Sequence, residues 1–98
     1  PSILIPQPFA LNSYPNPFNA ETTIRYSLME SGEVNLSIVD LNGREVQQLV
    51  EKKTQGAGHH QISWRAQSES GNAVPAGIYF VRLQQNDQTN THKILLLK

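Results

Sequence analysis

The chain has 98 residues, eight Lys and Arg balanced by eight Asp and Glu, and no cysteine. This length fits one core, and the lack of cysteine excludes disulfides and thiolate metal sites. No basic run suits it to nucleic acid, and no stretch reaches the roughly 18–20 apolar residues that span a bilayer. Its start lacks an initiating Met and the pattern of a signal peptide, so we expect a piece of a longer protein.

Five of the six prolines lie within the first 19 residues. Proline has no backbone donor and holds the residue before it in an extended conformation. We therefore predict a Pro-rich linker from an upstream domain over residues 1–13. It runs into an edge segment, and the folded domain occupies residues 14–98.

Regular alternation begins with TTIRYSL, residues 22–28, where every second side chain is suited to a core. The stretch EVNLSIVD repeats the pattern and predicts a second strand. Asn42-Gly43 follows, a dipeptide that tolerates the positive φ angles of a type I′ hairpin turn. The residues predicted to face the core in these two strands are Thr22, Ile24, Tyr26, Leu28, Val34, Leu36 and Ile38.

The return strand REVQQLVEK is irregular, because Val46 and Leu49 are out of phase. A β-bulge near Gln47-Gln48 accounts for this, and a short helix is the competing interpretation. Farther on, HQISWRA places His60, Ile62 and Trp64 on one face.

The last two predicted strands are IYFVRLQ and THKILLLK, the second running to Lys98. The nearly continuous apolarity of the first predicts a strand covered on both faces, or nearly so. About seven short strands separated by turns indicate an all-β protein, an Ig-like antiparallel β-sandwich.

No pattern of residues predicts chemistry. His59 and His60 are adjacent, so in a strand they point to opposite faces and do not share a metal ion. The carboxylates are scattered singly, and no GxSxG stretch occurs. We expect no enzyme activity, cofactor, metal site or small-molecule substrate. Carbohydrate binding through exposed rings is a minor alternative, since the aromatic residues are interpreted as packing residues: Tyr14, Phe18, Tyr26, Trp64, Tyr79 and Phe80.

Several stretches in order resemble the C-terminal sorting domain of type IX secretion, type A, and the related Ig-like module of flagellar hook-capping proteins. The resemblance covers about residues 11–98. The most specific elements are PNPFN, the hairpin D-L-x-G-R-E-V, P-x-G-I-Y and the terminal K-I-L-L-L-K. The stretches are YPNPFNAETTIRYSL (14–28), VNLSIVDLNGREVQQLV (34–50), GHHQISWRA (58–66), AVPAGIYFVRL (73–83) and THKILLLK (91–98).

The resemblance implies a seven-stranded Ig-like domain that addresses a cargo protein for export across the outer membrane of Bacteroidota-like bacteria. Its expected partners are the outer-membrane translocon, a sortase-like peptidase that removes the domain as the cargo is attached to surface lipopolysaccharide, and the upstream cargo domain. It implies a secreted or cell-surface location, reached through the periplasm.

The motifs of this family fall on three places in the chain. The proline motif falls on Pro15, Asn16 and Pro17, and the glycine motif on Gly77, Ile78 and Tyr79. Ala20 departs from relatives, which often carry proline there. The terminal motif falls on Lys93, Ile94, Leu95, Leu96, Leu97 and Lys98.

Alternatives stay open for the ends of the domain. The prolines either mark a stiff entry or only shape a strand edge. The terminal residues form a plain buried strand, with two of the three leucines inside, or a strand edge that accepts the translocon by β-addition. A structural Ig-like spacer or assembly module, which stays in the mature protein and contacts partner subunits, is the second functional class.

Overall fold

The computed structural model describes residues 10–97; residues 1–9 and 98 lie outside the description. Its seven strands are β1 (Ala10–Tyr14), β2 (Thr22–Leu28), β3 (Gly32–Val39), β4 (Glu45–Gln55), β5 (Gly58–Trp64), β6 (Gly77–Gln85) and β7 (Gln88–Leu96). Sheet A has the order β1-β2-β5 and sheet B the order β4-β3-β6-β7, with all neighbours antiparallel. This confirms the predicted β-sandwich. Within the described range there is no helix that could cross a membrane.

The core lies between the two sheets and follows the alternation of the sequence. All seven residues predicted to face inward on β2 and β3 are buried. An aromatic cluster closes one end of the core, because Trp64 contacts Phe18 with ring centroids 5.9 Å apart and Tyr79 at 5.5 Å. The Trp64 indole N–H donates to Gln47 Oε1 at 2.8 Å, so the ring is buried with its polar atom satisfied.

The predicted edge segment is strand β1, which pairs with β2 from Ala10 opposite Ser27 to Tyr14 opposite Thr23. Residues 10–13, assigned to the linker from sequence, therefore belong to sheet A. The linker stays a prediction for residues 1–9, outside the described part of the chain.

The hairpin at Asn42-Gly43 is present, but the predicted type I′ turn is wrong. Gly43 has φ of 82°, whereas Asn42 is not among the described residues with positive φ. Gly43 N–H donates to Asp40 O at 2.9 Å, the pattern of a type I turn followed by a left-handed glycine. The Asp40 carboxylate selects this geometry by accepting the backbone N–H groups of Asn42 and Arg44, each at 2.9 Å.

The irregular return strand is β4, so the helical interpretation is wrong and the predicted bulge is confirmed. Its pairing with β3 shifts between Ser37–Gln48 and Leu36–Val50, which leaves one extra residue beside Gln48. Two further shifts occur along the same pair. Bulges make β4 an irregular edge that is poorly suited to pairing with another chain.

Strand β6 was predicted to be covered on both faces or nearly so, and its outer face is only partly covered. Its inner face is buried, as expected, but Ile78 on the outer face is 39% exposed and Phe80 is half-buried. Sheet B has no second layer outside it in the described chain, and this leaves apolar side chains at the surface. The last strand ends at Leu96, short of the predicted end at Lys98, which lies outside the described residues.

Candidate functional site

The proline segment, residues 14–19, carries the chain from the end of β1 in sheet A to the free edge of β7 in sheet B. There Phe18 N–H donates to Leu95 O at 2.9 Å, and Leu97 N–H donates to Phe18 O at 2.8 Å. Phe18 thereby forms a parallel bridge with Leu96. Its side chain, 1% exposed, enters the core beside Trp64.

The side chain of Asn16 continues this pairing one step along β7. Its amide Nδ2–H donates to Lys93 O at 2.9 Å, and its Oδ1 accepts the N–H of Leu95 at 3.1 Å. A backbone residue of a parallel strand would make the same two bonds, so the Asn16 side chain takes the place of backbone at this step of the edge. The amide of asparagine supplies both the donor and the acceptor that these two bonds require.

The rest of the proline segment is also fixed by polar contacts. Thr22 O–H donates to Pro15 O at 2.7 Å. The Tyr14-Pro15 and Asn16-Pro17 peptide bonds are cis. Ala20 has φ of 71°, a value that proline, held near −65°, does not adopt. Ala20, where relatives often carry proline, therefore has a backbone conformation that proline does not adopt.

His92 joins β1, β7 and the proline segment. Its Nε2 lies 3.1 Å from Ser13 Oγ and 3.5 Å from the amide nitrogen of Asn16. Burial lowers the pKa of His92 below its ordinary value. The neutral ring suits this place, because an unprotonated Nε2 accepts from both neighbours.

The glycine motif lies directly beside the terminal motif. Gly77, Ile78 and Tyr79 on β6 pair with Leu96, Leu95 and Ile94 on β7. Gly77 has φ of 145°, a conformation that side-chain-bearing residues rarely adopt, so the backbone rather than a lack of space requires glycine here. The hydroxyl of Tyr79 donates to Pro75 O at 2.6 Å, and its ring packs edge-on against Trp64.

All three motifs therefore meet at one end of the molecule. A solvent-open groove between the proline segment and sheet B is lined by Asn16, Pro17, Ile78, Lys93, Ile94 and Leu95. Lys98 lies outside the described residues.

The predicted site residues differ in burial, and two of them, Gly77 and Leu95, are half-buried. Of the three terminal leucines, Leu96 is buried, Leu95 is half-buried and Leu97 is 54% exposed. Two buried leucines were expected, and only Leu96 is fully buried. The buried members of the motifs are Tyr79, Ile94 and Leu96. The exposed members are Pro15, Asn16, Pro17, Ile78, Lys93 and Leu97.

Two residues of this end were not among the predicted site residues. Phe18 anchors the proline segment. The sequence feature that could have indicated this role is its position within the motif YPNPFN. No local pattern in the sequence relates His92 to Ser13, which lies 79 positions away.

The other histidines keep to the prediction of opposite faces. His60 stacks on Tyr26 with centroids 5.3 Å apart and has its Nε2 2.7 Å from Gly56 O, whereas His59 is exposed on the outer face of sheet A. Among residues 10–97, no three His, Asp or Glu side chains are grouped to hold a metal ion.

The family model of the secretion system C-terminal sorting domain matches residues 12–97. The chain belongs to this family. The match includes all three motifs apart from Lys98, and it supports a role in targeting a protein for secretion. No curated protein matches the chain.

Solved structures share the fold. Latent dimeric PorU from Porphyromonas gingivalis matches with a TM-score of 0.70 at 19% identity over 89% of this chain and 9% of that chain. PorZ, a surface component of the type IX secretion system of the same bacterium, matches with 0.63 at 21% identity over 90% and 11%. The chain thus spans about a tenth of each of these proteins. FlgD from Xanthomonas campestris, a hook-capping protein, matches with 0.58 at 26% identity over 93% and 63%.

Proposed function

We propose that this domain directs an attached cargo protein through type IX secretion to the surface of a Bacteroidota-like bacterium and performs no chemistry itself. Membership of the sorting-domain family supports the targeting role. The finer proposal rests on the convergence of the three motifs, in which Asn16 is bonded to the backbone of Lys93 and Leu95.

The translocon recognises a composite surface, defined by the exposed residues Pro15, Pro17, Ile78, Lys93 and Leu97. It combines apolar side chains with one lysine at the rim of the groove. Addition of a translocon strand to the end of β7 is disfavoured, because Asn16 and Phe18 already occupy the backbone groups of that edge from Lys93 to Leu97. A folded surface is therefore the better signal than a strand edge.

The sortase-like peptidase acts upstream of the sandwich, between the cargo and the sorting domain, as the cargo is attached to surface lipopolysaccharide. A peptidase requires extended, unpaired backbone, and from Ala10 to Tyr14 the chain is paired with β2. We therefore place cleavage before Ala10, in the proposed linker.

The test is surface display of a reporter fused to residues 1–98 in a host with the type IX machinery. Truncation after Lys93 removes Ile94 and Leu96 from the core, so it would mix misfolding with lost recognition. The double variant Ile78→Asp and Leu97→Asp changes only exposed positions.

We expect the unaltered fusion to reach the surface and the Ile78/Leu97 double variant to stay in the periplasm. The matched control is the double variant Met29→Asp and Leu41→Asp, whose side chains are 45% and 67% exposed in two inter-strand turns. It should be displayed normally. Normal display of a folded Ile78/Leu97 variant, with folding checked by thermal unfolding, would refute the composite surface.

A structural Ig-like spacer is the second candidate, favoured by the match to FlgD over 93% of this chain. A spacer stays in the mature protein, whereas a sorting domain is removed. Mass spectrometry of the surface protein separates them, since the peptide AVPAGIYFVR, residues 73–82, is retained only by a spacer.

A further inference from the structure

Tyr14 was predicted to be a packing residue, and the structure contradicts this prediction. Phe18, Tyr26, Trp64 and Tyr79 are buried, but Tyr14 is 72% exposed. It lies at the end of β1, on the side of sheet A that faces away from the core. An exposed ring on a sheet is a flat apolar surface with a polar tip, suited to a ligand that has both characters.

The side chains around this ring are polar and come from all three strands. The register aligns Tyr14 with Thr23 and Ser63, and the next row aligns Asn12 with Arg25 and Gln61. Neighbouring strands are about 4.8 Å apart. The rows therefore offer closely spaced hydroxyl and amide groups, which both donate and accept hydrogen bonds.

The charge of this surface has one sign. The outward positions of β1, β2 and β5 contain Arg25 and His59 but no carboxylate. Beyond the end of β2, Glu21 is 3.8 Å from Arg65. Arg25 is exposed, and among residues 10–97 no hydrogen bond or ion pair holds it. Its guanidinium is therefore available for an anion.

A solvent-open cavity lies over the same surface. Its lining includes Asn12, Arg25, His59 and Gln61, while Tyr14 and Ser63 lie outside that lining, farther along the same outward rows of side chains. We call the six residues Asn12, Tyr14, Arg25, His59, Gln61 and Ser63 the polar face. It lies on sheet A, whereas the composite surface includes the outer face of sheet B, and the two adjoin only where Tyr14 precedes Pro15.

We propose that the polar face binds an acidic glycan, a chain of sugar rings that carry carboxylates. The Tyr14 ring stacks on the apolar side of one sugar, and the amide and hydroxyl groups bind sugar hydroxyls. The Arg25 fork pairs with a sugar carboxylate in the two-point geometry that guanidinium groups favour. A neutral glycan leaves Arg25 unused, and a peptide of glutamate residues alone has no ring to place on Tyr14.

The probe is tetragalacturonate, with its methyl ester as a neutral glycan of the same shape. Both are titrated into the full chain of residues 1–98, and binding is followed by amide NMR shifts. We expect millimolar binding of the acid, weaker binding of the ester, and shifts confined to the polar face.

Two variants separate charge from stacking. Arg25→Gln should weaken binding of the acid about three- to fivefold and remove its preference over the ester, as for an exposed ion pair. Tyr14→Ala should weaken both glycans, whereas Tyr14→Phe retains the ring and the binding. Arg44→Gln removes the same charge from a loop elsewhere and should change nothing. Thermal unfolding checks that each variant is folded.

The proposal fails if tetragalacturonate produces no shifts, or if the shifts lie off the polar face. It also fails if tetraglutamate binds as well as tetragalacturonate and Tyr14→Ala leaves both unchanged, since the surface would then select acidic peptides by charge alone. None of these outcomes bears on surface display, which tests the sorting role separately.

Discussion

The proline segment and the hairpin loop at residues 40–44 are both short stretches of turn-forming residues, but their hydrogen bonds reach very different distances. In the hairpin loop, Asp40 binds the backbone of residues two and four positions away. In the proline segment, Asn16 binds backbone 77 and 79 positions away. The first turn stabilises itself locally, whereas the second contributes to joining the two sheets. Substitutions in the two segments should therefore differ in how much they lower stability and in which contacts they remove.

The largest difference is expected between Phe18→Ala and Leu41→Ala. Phe18 is 1% exposed and packs on Trp64, so its truncation should lower the free energy of unfolding by about 3–5 kcal/mol. Leu41 is 67% exposed, and the same change should stay within about 0.5 kcal/mol. Urea denaturation measures both. Equal effects would contradict the anchoring role of Phe18.

A smaller effect is expected for the asparagines. Asn16→Ala removes both bonds to β7 and leaves a donor and an acceptor on that edge without protein partners. We expect a loss of about 1–2 kcal/mol. Asn16→Asp retains the acceptor but faces the Lys93 carbonyl with a second oxygen, so it should not restore stability. Asn42→Ala is the control and should be nearly neutral, because the hairpin uses the backbone N–H of Asn42. A lower denaturation midpoint for Asn42→Ala than for Asn16→Ala would refute this comparison.

The contact of His92 with the proline segment predicts a pH dependence. Burial lowers the pKa of folded His92 below the ordinary value of 6.5, while Ser13 and Asn16, which contact its ring, are uncharged. The unfolded chain therefore binds the proton more readily, and stability rises with pH. The contribution is complete above pH 6.5 and is lost as the pH falls through the lower folded value.

Urea midpoints at about pH 7.5 and about pH 5 measure this effect. The change between them should be smaller in His92→Gln, which does not titrate. NMR titration of the ring gives the folded pKa directly. A value above that of an unstructured peptide would contradict the contact as described.

The smallest effect belongs to Asp40 in the hairpin loop. The backbone N–H of Arg44 lowers the pKa of the Asp40 carboxyl, helped by the N–H of Asn42 and the Arg44 charge and opposed by partial burial. Its contribution to stability is present above the unfolded pKa near 3.8 and is lost as the pH falls through the lower folded value.

Asp40→Asn isolates this contribution, since it retains an acceptor but does not titrate. The difference in denaturation midpoint between about pH 6 and about pH 2.5 should shrink slightly in the variant. A larger pH effect from Asp40 than from His92 would reverse the ranking of local and long-range contacts.

Sequence patterns predicted the parts of the fold that depend on neighbours in the chain. The period of two in TTIRYSL and EVNLSIVD placed β2 and β3 and the inward side chains of both. Phase alone located the bulge beside Gln48. The hairpin was also predicted, but its turn type was wrong, because the Asp40 side chain outweighed the preference of Asn42-Gly43 for positive φ.

The candidate site was predicted only as a set of family motifs. Residue order gave Pro15, Asn16 and Pro17 as one motif and Lys93 to Lys98 as another, with no contact between them. Nor did it distinguish recognition from core, because alternation breaks down in a run such as ILLL. The folded chain shows which of these positions are buried and which are exposed, with Leu96 inside and Leu97 outside.

Taken alone, the sequence determined an all-β sandwich and its approximate strands, since side-chain alternation and turn chemistry act over a few residues. Tertiary structure decided that Asn16 completes the edge of β7, that His92 meets Ser13, and that Tyr14 faces solvent. These contacts depend on how two sheets pack and which edges lie together. That arrangement is set by the burial of the whole core, so no single stretch of the chain contains it.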